Sequence, residues 1–363
     1  MTTRGLALAL TVLAIGAGCN TGPVRRDDAT DPGVYRTCQD AAAAAAWSRA
    51  QAALANGDDA AALPDLLTAV RGCPDLVRAH VAYQEAAQRL GGEVAAAMVA
   101  FYRSLPAGKT PVAAYLRARL ADTAYAQSNA LDTILAVDPS FAWAHLSRAR
   151  INRRQGRLLP ALEMFGDAIV NDADLVEARL ERAQVLAELG RDEESAREYK
   201  AYLQKAPDDV AAARGYLTLL LYRLGRIDEA WQVLDRLQAK APKSLDLRMD
   251  RAAALWRARR VREAVDAYLA ILREDPTVAR AALNIGLLYY EVAPQNDREK
   301  QRYWPAARAA LRWFLLHSKP TDGHEQFERT MAVPFRLDRI EDILGKQDAP
   351  PPPTLDEMRW PDS

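Results

Sequence analysis

From residue 142 onward the chain repeats itself every 34 residues, with a single step of 35. A turn position falls at Gly156, Gly190, Gly225 and Arg259. Five residues later comes a small side chain, at Ala161, Ser195, Ala230 and Ala264. The unit then stops at Ala173, Pro207, Pro242 and Pro276. Each position has a physical reason. A glycine adopts the left-handed conformation that ends one helix and starts a tight turn. The small residue lets the unit's two helices approach closely. A proline cannot continue a helix, so it marks where the next unit begins. Within the second helix, apolar residues spaced by three and four, such as Ala161, Phe165 and Ala168, form a stripe that must be buried. A unit of this size cannot bury that stripe alone, so neighbours have to stack.

The register extends in both directions. Upstream, Gly57 and Gly91 are turn glycines, Ala62 and Ala96 fill the small position, and Pro74 closes the first unit. A degenerate unit occupies residues 108–141 and ends at Asp138-Pro139. Downstream, Ala279–Val292 reads as a first helix. An insertion around Pro294–Arg302 precedes its second helix, Trp304–His317. About eight units thus lie between Ala43 and Pro320. Aromatic residues make up only 7% of the chain, which favours close-packed helices over a β-sandwich. The pattern resembles the tetratricopeptide repeat, and Gly286 and Tyr289 stand at that family's preferred Gly and Tyr positions. The resemblance implies an all-α, right-handed superhelical solenoid over residues 41–320. A C-terminal cap is expected over 321–346, carried by Phe327, Met331, Phe335, Leu337, Ile340 and Leu344, with Pro334 breaking or kinking its helix. Residues 347–363, with Pro350–Pro353 and the acids beyond, are expected to form a disordered tail.

The N-terminal residues have a different character. Met1–Arg4 carries one positive charge, and Leu6–Ile15 is an apolar run too short to span a bilayer as a mature helix. Small residues and Cys19 follow. This is the layout of a secretory signal peptide over residues 1–18. The Ala-Gly-Cys ending resembles the lipobox of bacterial lipoproteins, departing from it at Gly16, where the family prefers leucine. The resemblance implies lipidation at Cys19 and a flexible tether over 19–40. It also implies an exported protein anchored in the cell envelope by its lipid. Asn20, rather than Asp, follows the cysteine, which points to the outer membrane, facing the periplasm.

With Cys19 lipidated, Cys38 and Cys73 remain, an even pair in an exported chain. They flank the first hairpin at ends that meet on the same side, so a disulfide is sterically reasonable. Two free thiols are the alternative.

Nothing in the sequence reads as catalytic. The four histidines, His80, His145, His317 and His324, are scattered over different units, without an HExxH pair or a phosphate-binding glycine loop. No cofactor or metal site is expected. Lys+Arg and Asp+Glu both number 48, a balance that argues against nucleic-acid binding. In proteins that this chain resembles, the concave groove is lined by the first helix of each unit. That resemblance places Gln88, Arg119, Arg153, Ala187, Tyr222, Trp256 and Tyr290 in one column, and Arg89, Leu120, Arg154, Glu188, Arg223, Arg257 and Glu291 in the next. Trp143 and Arg150 lie nearby. Interleaved arginine and aromatic residues are the types enriched at binding hot spots. The expected partner is an extended, acidic protein segment, held by a monomeric, non-catalytic scaffold. The competing structural explanation is that the arginines pair with acids on adjacent units while the aromatics pack between repeats. Two functional alternatives also stand: a pilotin-like assembly factor for a secretin, pilus or other envelope complex, and an accessory subunit of a cell-envelope enzyme complex.

Overall fold

The computed structural model describes residues 38–105, 111–292, 296–319, 327–345 and 351–361. The signal peptide, Cys19 and the tether up to residue 37 lie outside the described residues. All regular elements among them are helical. Sixteen helices pair into eight hairpins, and the chain divides after Leu175 into two compact units.

The first unit holds α1 (Ala41–Ala55), α2 (Asp59–Gly72), α3 (Val77–Leu90), α4 (Gly92–Ser104), α5 (Pro111–Ala118), α6 (Ala124–Val137), α7 (Ala142–Arg154) and α8 (Leu158–Asn171). The second begins with α9 (Val176–Glu188), α10 (Asp192–Lys205), α11 (Val210–Leu219), α12 (Ile227–Lys240), α13 (Leu245–Arg257), α14 (Val261–Glu274), α15 (Ala279–Leu287) and α16 (Asp297–His317). It closes with α17 (Val333–Leu344) and a short 3-10 turn, Asp356–Met358.

The repeat arithmetic appears directly in the backbone. Gly57, Gly156, Gly190 and Gly225 all have positive φ, and so does Arg259 at +60°, the one non-glycine among the described residues to do so. Arg259 therefore carries strain that glycine relieves at the sister turns. The small positions Ala161, Ser195, Ala230 and Ala264 are all fully buried. At Gly286 an added Cβ would lie 2.5 Å from a Leu311 methyl, so the approach of α15 to α16 requires glycine. The step of 35 residues has a local cause: a π-helical turn at Leu220–Leu224, continuous with α11, absorbs the extra residue. A second π-turn, Leu288–Val292, extends α15.

Three sequence expectations need correction. The second helix of the eighth hairpin begins at Asp297, capped by Asn296, and not at Trp304, so most of the insertion is helical and Pro305 lies inside α16. The cap is made by α17, which follows a π-turn at Glu328–Ala332 and has Pro334 in its first turn. Val333 and Ile340 are buried there, with Leu337 and Leu344 packed beside them, whereas Phe327, Met331 and Phe335 remain 55–62% exposed. The expected disordered tail is ordered over 351–361: Met358 is fully buried, and Trp360 stacks against Tyr289 at 5.5 Å and packs at a tilt against Tyr303 at 5.0 Å.

At the N-terminal end, Asp40 caps α1 by accepting from the amides of Ala42 and Ala43. Cys38 and Cys73 are disulfide-bonded across the first hairpin, with Cα atoms 5.4 Å apart.

Candidate partner-binding surface

The groove columns fall on the first helix of each hairpin, and each compact unit carries its own share. In the first unit, long side chains reach across the repeat boundary. Arg89 makes a bidentate pair with Asp59, both contacts at 2.7 Å, and this hydrogen bonding holds the half-buried Asp59 carboxyl below its ordinary range. Arg119 donates to Gln84 at 2.7 Å and to Glu85 at 3.2 Å. These arginines are committed to neighbouring repeats, as the structural explanation expects. Trp143 is also corrected: only 4% exposed, it packs on Tyr115 at 6.3 Å and belongs to the core. Arg150 and Arg153 are half-buried and engaged with neighbours, while Arg154 is exposed.

The second unit presents a different surface. The π-turn at Leu220–Leu224 carries Tyr222 outward, 46% exposed. The exposed Arg257 guanidinium lies over the Tyr222 ring at 5.1 Å and near the half-buried Trp256 ring at 5.9 Å. Beside Tyr222, Arg214 bridges Asp246 at 2.8 Å and Asp250 at 3.3 Å. Partial burial and the Asp250 carboxylate push the Tyr222 phenol up, against the opposing pull of Arg257 and Arg280. Burial likewise raises the Asp250 carboxyl despite Arg214. Tyr290, on the second π-turn, stacks on Trp304 at 5.3 Å, with the Lys300 ammonium 5.5 Å from the same indole. Arg223 is the exception in this unit. It donates to the Ala187 carbonyl at 2.7 Å and pairs with Asp192 at 2.7 Å, so it ties two repeats together.

The structure therefore brings together Tyr222, Trp256 and Arg257, and assigns Trp143 and Arg223 to packing and pairing. Sequence reasoning missed Arg214, Asp250 and Trp304. Trp304 could have been found had the insertion been read as helix, because its spacing from Lys300 is one helical turn. Among the described residues no group of three or more His, Cys, Asp or Glu side chains could hold a metal. No described helix is long and apolar enough to cross a membrane.

The sequence model of the tetratricopeptide repeat matches residues 160–210 and 249–291. A search of curated proteins finds no match. Among solved structures, YrrB, described as a tetratricopeptide-repeat protein with an unusual peptide-binding site, is similar over 60% of this chain and 93% of its own, at 16% identity and a TM-score of 0.38. A tetratricopeptide-repeat protein of Parabacteroides merdae is similar over 82% of this chain and 98% of its own, at 14% identity and a TM-score of 0.37. A thermophilic counterpart from Thermus thermophilus reaches 22% identity over 59% of this chain and 100% of its own, with a TM-score of 0.34.

Proposed function

We propose that this tetratricopeptide-repeat protein is a non-catalytic interaction scaffold of the cell envelope, binding an extended segment of a partner protein on the first-helix face of its second unit. The observation that carries the reading is the Tyr222–Arg257–Trp256 cluster. Three side chains of the hot-spot types converge at a surface left open where a π-turn lifts Tyr222 out of the stack. An arginine held between aromatic faces keeps its planar fork available for a carboxylate. Tyr222 and Trp256 offer rigid apolar area next to it. The partner segment is accordingly acidic, with apolar residues flanking the acid.

The double variant Tyr222→Ala/Arg257→Ala is expected to reduce partner capture tenfold or more, equivalent to about 1.5–3 kcal/mol at a hot spot. Its melting temperature should stay near that of the parent, because neither side chain bridges repeats through a hydrogen bond. Arg223→Ala should do the reverse, with capture intact and a stability loss of about 1 kcal/mol. Co-purification from detergent-solubilised membranes, with yield and melting measured on the same preparations, checks both. Full capture by the double variant would overturn this assignment of the surface.

The envelope location rests on the apolar run Leu6–Ile15 and the small residues that lead from it to Cys19. Multiple acyl chains on one cysteine give anchoring that a single chain does not. Cys19→Ser is expected to leave the protein unprocessed or soluble. Fractionation that finds the processed variant in membranes like the parent would reject lipidation there.

A further inference from the structure

Helices α9 and α13 each carry two arginines one turn apart, Arg179 with Arg182 and Arg248 with Arg251. The second pair closes the gap between the neighbouring second helices α12 and α14, and the first holds the second helix of its own hairpin. Arg179 and Arg182 hold Glu198 on α10. Arg248 grips Glu274 on α14 at 2.6 and 2.9 Å. Arg251 lies 4.9 Å over Trp231 and reaches Gln238 on α12 at 2.8 Å. At the corresponding places on α11, between these two helices in the series, stand Ala213 and Tyr216. The plug is missing. In its place a cavity of about 260 Å³ opens between α10 and α12, close to the lower end of the roughly 300–1,000 Å³ typical of small-ligand pockets.

The chemistry of this cavity is specific. Its apolar wall is formed by Ala213, Val233 and Leu237, all less than a tenth exposed. Lys200, Arg236 and Lys240 surround the wall. The one lining carboxylate, Glu229, is already answered: Tyr216 donates to it at 2.5 Å, Arg226 pairs with it at 2.5 Å and Lys200 approaches to 3.6 Å. Lys240 leans toward Asp208. Arg236 is exposed and makes no hydrogen bond or ion pair among the described residues. A water-excluding wall beside an uncommitted guanidinium suits an anion attached to an apolar body, and the planar fork of arginine suits a carboxylate.

We infer that the crevice between α10 and α12 is a binding site for a small amphiphilic carboxylate, its acid on Arg236 and its apolar body against Val233 and Leu237. None of the groove residues lines it, so the site stands independently of the partner surface.

Isothermal titration of the full-length protein with octanoate tests the site, with octanol as the same body lacking the acid. Saturable octanoate binding is expected below roughly 1 mM, with octanol at least about tenfold weaker. Arg236→Ala should weaken octanoate about tenfold, the scale of one charge-assisted contact. This variant removes no hydrogen bond or ion pair among the described residues. Ala213→Arg restores the residue that the sister helices carry and should abolish binding while circular dichroism and melting remain parental. No saturable heat with the parent protein overturns the proposal. Equal affinity for octanol overturns it, as does an unchanged affinity in Arg236→Ala.

Discussion

Deleting residues 351–363 will destabilise the second unit by about 3–5 kcal/mol, net of the chain entropy regained. The estimate starts from Met358, which is fully buried in the terminal cluster with α15 and α16. Truncating such a side chain to alanine costs about 2–5 kcal/mol. Trp360 adds a large aromatic surface on Tyr289 and Tyr303. Three backbone carbonyls of the tail are also held by the stack. Arg312 donates to that of Pro351 at 2.8 Å, Tyr289 to that of Met358 at 3.1 Å, and Arg302 to that of Pro361 at 3.4 Å. The contacts descend α16 as the tail ascends, so the tail runs antiparallel to α16 and covers apolar residues of the last hairpin. A terminal repeat needs such a cover to keep its apolar face from water.

Urea denaturation followed by circular dichroism measures this loss, and hydrogen exchange at α15 and α16 localises it. Met358→Ala alone should account for about 2–4 kcal/mol. A second readout separates docking from general weakening. Burial pushes the Tyr289 phenol well up, so removing the tail should bring its titration down toward the ordinary tyrosine range. A deletion variant with the parental urea midpoint would refute the docked tail.

That tail shows where sequence reasoning stops. Pro350–Pro353 and the following acids have the composition of a disordered segment. The outcome is decided by Met358 and Trp360 meeting Tyr289 and Tyr303, residues more than fifty positions away, and local composition carries no trace of such a meeting. The hairpins were legible for the opposite reason. A turn glycine with positive φ and a small residue on the facing helix are local requirements, repeated until chance is an unlikely author. The π-turn at Leu220–Leu224 lies between these cases: the step of 35 announces an extra residue but not where the helix absorbs it. Trp143 was misplaced because most of α7 is buried, nine residues spread around the helix, so its heptad pattern marks no open face. The groove arginines divided according to reach. Arg89, Arg119 and Arg223 find partners 30–36 residues away in sequence, one repeat distant, while Arg257 finds aromatic faces instead.

Replacing Cys38 and Cys73 together by serine will cost the first unit about 3–4 kcal/mol, the chain-entropy value for releasing a loop of this length. The sequence separation is 35 residues. Folded geometry brings the two positions together without help from the bond. Asp40 starts α1 two residues after Cys38, and Cys73 is the C-cap of α2. The helices touch closely at those ends, since a Cβ placed on Gly72 would lie 2.5 Å from that of Ala43. The Cα separation of 5.4 Å lies within the range natural disulfides adopt. The double variant should therefore keep native helical content and lose stability because its unfolded chain is freer. Reductant then supplies the control. Dithiothreitol should lower the parental urea midpoint to that of the serine variant and leave the variant where it is. Non-reducing peptide mapping should recover one peptide joining Cys38 to Cys73. Alkylation of both thiols without reduction would reject the bond in the isolated protein. A double variant as stable as the parent would instead show that the first hairpin gains nothing from it.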